Sequence, residues 1–144
     1  MSEYLHVEKP FLDQLGALGW TVIDQGHGFV PPDPAISLRT SFREWILPHV
    51  FRDAVRSINR TADGKAWLTD RQLDDLRDRI RRQPNRTLLE ANEAAQSLFL
   101  KAQVDVNEVT GEPDPVVQLI DFAHPERNQF HAINQFRIDT PGCV

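Results

Sequence analysis

The sequence predicts an α+β fold, in which N-terminal helices pack on a β-meander that forms late in the chain. Residues 117–122 are almost wholly apolar, as in a strand that is buried on both faces. Residues 130–138 then alternate as a strand does, which puts Asn134 and Gln135 on opposite faces. Most earlier segments follow the helical period. This order is typical of the α+β class, and becomes α/β if the sheet continues beyond residue 144.

The first predicted helix covers residues 5–18. Its apolar stripe consists of Phe11, Leu12, Leu15 and Leu18. Glu8 lies on the same stripe if the helix includes it, and it would then point toward the strand that carries Asn134. A carboxylate aimed at a core usually has a partner or a function. Alternatively, Pro10 begins the helix and Glu8 lies before it in solvent.

A short strand, a turn and a connector are predicted next. Residues 20–24 have strand character, 25–28 form a glycine-containing turn, and the prolines of 31–34 give a stiff extended connector. His27 is interpreted as a loop residue, because no phosphate-binding motif follows the glycines beside it. Ser37 is then a candidate N-cap for a helix that Pro48 kinks or breaks.

Three helices and a hairpin complete the predicted elements. An apolar stripe covers residues 50–58, and capping boxes at 69–72 and 87–90 begin two further helices. Residues 104–109 alternate as a strand and pair with 116–122 across a turn. The strand 130–138 then adds to this hairpin, which completes the meander.

Composition is typical of one soluble globular domain. The chain has 144 residues, of which 40% are hydrophobic and 26% are charged. No apolar run approaches the roughly 20 residues of a membrane helix, and the first residues lack the pattern of a signal peptide. The single cysteine, Cys143, excludes an internal disulfide and a cysteine-rich zinc site. These features predict a cytoplasmic protein that does not bind membranes.

The charge is distributed unevenly along the chain. The net charge is -5, yet residues 52–86 are rich in arginine and lie between two acidic segments. Arg52, Arg56 and Arg60 are spaced by four and should share one exposed helical face. Because local patches decide phosphate contact, we expect this face to bind DNA or another part of a larger enzyme. Alternatively, it is an ordinary solvated helix face.

No metal site is predicted within the chain. The sequence has no cysteine pair, no Walker loop and no histidines at the spacing of metal ligands. Three carboxylates remain as candidates for nuclease chemistry: Glu8, Asp121 and Asp139. Divalent-metal nucleases need several oxygen ligands near the scissile phosphate. Asp121 is better explained as a strand-end residue that accepts hydrogen bonds from loop amides.

Several short motifs, in order along nearly the whole chain, carry a family resemblance. They are Val7-Glu8-Lys9-Pro10, Leu18-Gly19-Trp20, Leu38-Arg39, Ser41-Phe42-Arg43-Glu44, Leu88-Leu89-Glu90-Ala91-Asn92-Glu93, Leu119-Ile120-Asp121-Phe122, Pro125, Asn128, Phe130 and Asn134-Gln135-Phe136. Together they resemble the N-terminal endonuclease domain of the restriction subunit of type I restriction–modification enzymes. The Asn-Gln-Phe strand is the most specific of them.

The resemblance implies a PD-(D/E)xK-type nuclease fold joined to an ATP-driven DNA translocase. It also implies Mg²⁺ and ATP as cofactors of the full-length enzyme, and DNA with the modification and specificity subunits as partners. The family's R-P-D segment, E-x-K strand and Q-x-x-x-Y helix have no counterpart here. Residues 1–144 are therefore expected to form an incomplete nuclease domain that binds no cofactor and cleaves nothing alone. Glu8 is the only residue that matches a catalytic candidate of the family.

Three functional hypotheses follow from the sequence. The first is a part of a type I restriction subunit that contributes to Mg²⁺-dependent DNA cleavage, with a lysine stabilising the developing charge. The second is a non-catalytic module whose arginine-rich helices, within residues 52–86, bind phosphates. The third is an interaction domain whose helices bind a partner protein. Salt-sensitive DNA binding by the chain alone would favour the second hypothesis.

Overall fold

A computed structural model describes residues 2–28, 30–82 and 87–140, so Cys143 lies outside the described residues. The chain divides into two compact units. One unit is discontinuous and consists of Met1–Pro48 and Gln129–Val144, whereas the other is the continuous segment His49–Asn128. Both units combine helices with short strands, so the structure is of the mixed α+β type. No helix in the described residues is long and apolar enough to cross a membrane.

The discontinuous unit begins with a helix and contains a parallel strand pair. A π-helical segment, Tyr4–Glu8, continues directly into α1, Lys9–Ala17, where Pro10 occupies the first turn. Strand β1, Thr21–Ile23, follows and pairs in parallel with β4, His131–Ile133. The predicted first helix and first strand are therefore confirmed. The helix includes Glu8, so the alternative in which Pro10 begins it is wrong.

The helix predicted to begin at Ser37 is not formed. Pro34–Ser37 is instead a short 3₁₀ helix capped by Asp33, and it ends at Leu38, which has a left-handed φ of 59°. Such a conformation ends a helix, because a β-carbon makes it costly to repeat. Arg39 then turns inward, and its buried guanidinium lies 3.8 Å from the ring centroid of Phe136.

The continuous unit contains three helices in sequence. They are α2, Pro48–Ile58, which starts at the unit boundary, α3, Asp70–Arg81, and α4, Leu88–Lys101. Pro48 begins α2 instead of breaking a longer helix, because the first turn needs no N–H donor from it. Both predicted capping boxes are formed, with Thr69 and Thr87 as the N-caps.

The core of the continuous unit comes from the inner faces of these helices and from the chain that follows them. Its buried apolar residues are Val55, Trp67, Leu68, Leu73, Leu76, Ile80, Leu98, Ala102, Val104 and Val117. Strand β2, Ala102–Gln103, pairs antiparallel with β3, Val116–Val117. A single bridge between Val106 and Pro113 continues this hairpin. A hairpin therefore forms in the predicted region, but its first strand is Ala102–Gln103 and not 104–109, and its second strand is limited to Val116–Val117.

The prediction of a three-stranded meander is wrong. Strands β2 and β3 form one two-stranded sheet, and β4 pairs with β1 in another. The apolar run 117–122 does not continue as a buried strand, since Phe122 is 67% exposed and Asn59 bonds the backbone of Gln118 where a neighbouring strand would. The long strand predicted over 130–138 is limited to His131–Ile133.

Candidate functional site

The parallel pairing of β1 with β4 brings two polar residues to one edge of the sheet. Thr21 is opposite His131, and Ile23 is opposite Ile133. Both strands point the same way, so the residues that follow them, Asp24 and Asn134, emerge at the same edge. The carboxyl ends of parallel strands are where open α/β sheets commonly place their functional groups.

Glu8 reaches this edge from the first helical segment. Its carboxylate accepts a hydrogen bond from Asn134 Nδ2 at 3.3 Å. Gln135 Nε2 donates to both oxygens of the same carboxylate, at 3.2 Å each. The predicted orientation of Glu8 toward Asn134 is therefore observed, and the side chain is neither fully buried nor fully exposed. A catalytic role for Glu8 stays a prediction.

Asn134 forms hydrogen bonds with every polar atom of its side chain. Its Oδ1 accepts from Gln25 N at 2.6 Å, which orients the amide. Its Nδ2 then faces Asp24 Oδ1 at 3.1 Å and Gly26 O at 3.0 Å, in addition to Glu8. Its backbone oxygen accepts from Gln25 Nε2 at 2.8 Å. Asn134 therefore links the end of β4 to the segment after β1 and to the first helical segment through one side chain.

Asp24 is held ionised by a tyrosine on the first helical segment. Tyr4 Oη donates to Asp24 Oδ2 at 2.6 Å, and the Tyr4 ring stacks on His27 with centroids 5.0 Å apart. The hydrogen bond from Tyr4 is the largest cause that lowers the pKa of Asp24. The same bond is the largest cause that raises the pKa of Tyr4 to about 12. His27, predicted as a loop residue, lies in a bend and takes part in this packing.

Gln135 has an unusual backbone conformation that explains why two adjacent amides reach Glu8. Strict alternation would have put Asn134 and Gln135 on opposite faces. Gln135 has a φ of 49°, in the left-handed region that few residues other than glycine adopt. The chain turns there, so β4 ends and both amides face the same carboxylate. We name the set Tyr4, Glu8, Asp24, Gln25, Asn134 and Gln135 the strand-edge cluster.

Tyr4, Asp24 and Gln25 were not identified from the sequence. The strand over 20–24 placed Asp24 at a strand end, and a polar residue there is a usable signal. Its partner strand could not be identified, because Asp24 and Asn134 are 110 residues apart. The helical stripe through Glu8 and the Asn134-Gln135-Phe136 motif were the two signals that pointed to this edge.

Two of the three candidate DNA-binding arginines are engaged by carboxylates of α3. Arg52 Nε and Nη2 bond both oxygens of Asp74 at 2.9 and 2.6 Å, and this hydrogen bonding raises the pKa of Arg52. Arg56 pairs with Asp70. Their side chains are only 26% and 28% exposed, so the prediction of an exposed face is wrong for them. The three arginines also do not share one helical face, because α2 ends at Ile58 and Arg60 lies beyond it. Arg60 is exposed and donates to Gly64 O at 3.1 Å. DNA contact by these residues stays a prediction.

Asp121 and Asp139, the other candidate carboxylates, have local structural partners. Asp121 is 3% exposed, and its Oδ1 accepts from the backbone N–H groups of His124 at 2.9 Å and Ala123 at 3.1 Å. The bond from His124 is the largest cause that lowers its pKa. The interpretation of Asp121 as a loop-bonding residue is therefore confirmed. Asp139 pairs with Arg137 at 2.8 Å.

The described residues do not fit a Mg²⁺ site. Within residues 2–28, 30–82 and 87–140 no group of three or more acidic, histidine or cysteine side chains is placed to hold a metal. Glu8 and Asp24 already accept hydrogen bonds from amides and a hydroxyl. No chemical step through Mg²⁺ therefore follows from these residues.

Comparison with known proteins identifies the family. The family model for the type I restriction enzyme R protein N terminus matches residues 1–142. Neither the curated proteins nor the solved structures provide a match to the chain. The family match confirms the resemblance drawn from the sequence motifs. With nearly its whole length matched, this chain belongs to the family of type I restriction enzyme R protein N termini.

Proposed function

We propose that this chain takes part in Mg²⁺-dependent cleavage of unmodified DNA by a type I restriction enzyme, coupled to ATP-driven translocation. In this proposal the partners are DNA and the modification and specificity subunits, and the enzyme acts in the cytoplasm. Mg²⁺ and ATP are cofactors of the complete enzyme. The nuclease domain to which residues 1–144 contribute has a PD-(D/E)xK-type fold. Family membership supports the proposal, since it is the R subunit that the family model describes.

One structural observation carries the role of this chain within the enzyme. Glu8 lies at the edge where β1 and β4 both end, beside Asp24, and accepts three hydrogen bonds from two amides. Two amide donors fix the orientation of the carboxylate that accepts their hydrogen bonds. We infer that Glu8 supplies an oriented carboxylate at the strand edge on which DNA cleavage depends.

An open groove borders the strand-edge cluster. It has a volume of about 540 Å³, and residues from the turn after β1 and from the segment after β4 line it. Gln135 belongs to this lining, together with Phe136 and Arg137, and its side chain also bonds Glu8. Gln135 therefore lies between the groove and the Glu8 carboxylate, so a molecule bound in the groove would be close to Glu8. This proximity supports a role for this edge in binding.

The test replaces Glu8 in an R subunit that carries this chain as its N terminus, assembled with modification and specificity subunits. Glu8→Gln keeps the shape and removes the charge, and Glu8→Ala removes both. We expect cleavage of plasmid DNA with an unmodified site to fall by about 10²-fold, as for other positioned charged groups. ATP hydrolysis should be unchanged.

The matched control is Asp13→Asn, which removes an exposed carboxylate from the same helix. Asp13 pairs only with Lys9 among the described residues, and its replacement should leave cleavage unchanged. Normal cleavage by Glu8→Gln would refute the proposed role. An equal decrease of cleavage and ATP hydrolysis would also refute it, because it would indicate a general structural defect.

A separate proposal concerns DNA contact through the arginines of α2 and of the segment that follows it. Arg60 is the candidate that the structure favours, since it is exposed and its side chain bonds only a backbone oxygen in the described part of the chain. Arg52 and Arg56 would have to leave Asp74 and Asp70 before binding phosphate. Of these three arginines, Arg60 is therefore the one most available to phosphate, and the salt dependence of DNA binding by Arg60→Glu tests its role.

A further inference from the structure

We propose that Asn134 is a positioning residue that holds the carboxylates of Glu8 and Asp24 in a fixed arrangement. Gln135 assists it by donating further hydrogen bonds to Glu8. This inference rests on the proposed function of Glu8 in DNA cleavage. It adds two residues to the proposed machinery, both of which act through the carboxylates.

The side-chain amide of Asn134 is placed to donate to both carboxylates. Its Nδ2 has two hydrogens, and three oxygens lie within 3.3 Å of it, from Glu8, Asp24 and Gly26. Two of these oxygens belong to carboxylates, which repel each other unless a donor lies between them. The neutral side-chain amide of Asn134 is the donor that lies between the two carboxylates.

The orientation of the amide is fixed from the opposite side. Gln25 N donates to Asn134 Oδ1 at 2.6 Å, so the oxygen must face β1 and the nitrogen must face the carboxylates. Gln25 Nε2 also bonds the Asn134 backbone oxygen at 2.8 Å. Asn134 is therefore held by both its side chain and its backbone, and a replacement without the amide cannot form the hydrogen bonds on both sides.

Gln135 contributes through its backbone as well as its side chain. The left-handed φ of 49° costs free energy for a residue with a β-carbon, and such strain is often kept where a functional group must be placed. The result is that Gln135 Nε2 spans both oxygens of Glu8 at 3.2 Å. Backbone and amide can be separated experimentally, because glycine adopts this φ readily.

The first test is Asn134→Asp in the assembled enzyme, which keeps the shape but places a third carboxylate beside Glu8 and Asp24. We expect cleavage to fall by about 10-fold or more, as when residues that orient catalytic ligands are replaced. ATP hydrolysis should be unchanged. The matched control is Asn128→Asp, because Asn128 also bonds the chain on both sides, with Asp121 N and O as partners.

The control separates positioning from stability. Both substitutions remove amide donors from a well-bonded asparagine, so both should lower the melting temperature. Only Asn134→Asp should lower cleavage when the two variants are compared at a temperature where both remain folded. Equal cleavage by the two variants would overturn the inference.

The second test applies even if Asn134→Asp does not fold. Gln135→Gly keeps the backbone conformation and removes the amide, and Gln135→Asn retains a shorter amide in a residue that tolerates left-handed φ. We expect Gln135→Gly to fold normally and to cleave more slowly, with partial rescue in Gln135→Asn. Full cleavage by Gln135→Gly would overturn the role of the Gln135 amide.

Glu8→Gln distinguishes the two levels of the proposal. If Glu8→Gln cleaves normally, both the proposed function of Glu8 and this inference are refuted. If Glu8→Gln loses cleavage while Asn134→Asp and Gln135→Gly retain it, the positioning inference alone is wrong.

Discussion

Asn59 and Gln118 exchange two hydrogen bonds, as two residues of neighbouring strands would. Asn59 Nδ2 donates to Gln118 O at 2.7 Å, and Gln118 N donates to Asn59 Oδ1 at 2.8 Å. Asn59 Nδ2 also donates to Val55 O at 2.7 Å, and the residue is only 6% exposed. One side chain therefore connects the end of α2 with the segment after β3.

We predict that Asn59→Ala lowers the free energy of unfolding by about 2–3 kcal/mol, since it leaves the N–H and C=O of Gln118 without their partner. Urea denaturation measures the effect. Asn92→Ala, at an exposed position of α4, is the control and should change stability by less than about 0.5 kcal/mol. Similar values for the two variants would contradict the assigned role of Asn59.

The Tyr4–Asp24 hydrogen bond predicts an unusual tyrosine titration. The chain has one tyrosine, so phenolate absorbance reports on Tyr4 alone. We expect a midpoint at a pH of about 12 in the folded chain, compared with an ordinary pKa of about 10. Asp24→Asn removes the charged acceptor and should return the midpoint toward the ordinary value. A midpoint near 10 in the unaltered chain would show that the hydrogen bond is absent.

The same hydrogen bond gives a pH dependence of stability with a defined sign. The pKa of Tyr4 is raised on folding, so its contribution is present below a pH of about 10 and disappears as the pH rises through about 12. The pKa of Asp24 is lowered, so its contribution is present above a pH of about 3.8 and disappears as the pH falls through the folded value. Tyr4→Phe should therefore be less stable than the unaltered chain at intermediate pH, and the difference should shrink in acid. Urea denaturation at a series of pH values measures both effects.

Charge reversal should distinguish Arg56, which lies on α2, from Arg60, which follows the end of α2. Arg60→Glu is expected to weaken DNA binding and to reduce the slope of log affinity against log salt by about 1, because one phosphate is no longer neutralised. Arg56→Glu places a like charge beside Asp70, so it should mainly lower the melting temperature. Binding measured across a range of salt concentrations checks the first effect, and thermal unfolding checks the second. An unchanged slope in Arg60→Glu would exclude phosphate binding there.

Arg39 should not tolerate replacement by lysine. Its Nε donates to Ser37 Oγ at 2.8 Å, and its Nη1 donates to the backbone oxygens of Glu44 at 2.9 Å and Arg137 at 2.8 Å. Lysine keeps the charge but lacks the planar group that makes these bonds and stacks on Phe136. We expect Arg39→Lys to cost about 2 kcal/mol in urea denaturation.

The control for Arg39→Lys is Arg43→Lys, which alters an exposed residue nearby in sequence. It should leave stability within about 0.5 kcal/mol of the unaltered chain. If Arg39→Lys were equally mild, the buried guanidinium would not be important for the discontinuous unit.

Local signals explain what could be predicted from the sequence. The capping boxes at Thr69 and Thr87 and the apolar stripe of α2 involve residues within a few positions of one another, and all three helices are present. The orientation of Glu8 is predictable in the same way, from its place on a helical stripe. These elements depend on interactions between residues that are close together in the sequence.

The remaining features depend on partners that are distant in the chain. The meander assumed that β4 pairs with the hairpin before it, whereas its partner is β1. Periodicity identifies a strand but does not identify the strand it pairs with. The positive φ of Gln135 could not be predicted from the sequence either, because glutamine is not a residue that signals a left-handed conformation. The strand-edge cluster therefore became visible only in three dimensions.

The parallel pairing of β1 with β4 has a consequence for the order of folding during synthesis. The ribosome completes the continuous unit, His49–Asn128, before it makes β4. Domains generally fold as units as they emerge, so this segment is able to fold while α1 and β1 still lack their partner strand. Helix α1 and strand β1 therefore complete their packing only after β4 is made, although they precede the continuous unit in the chain.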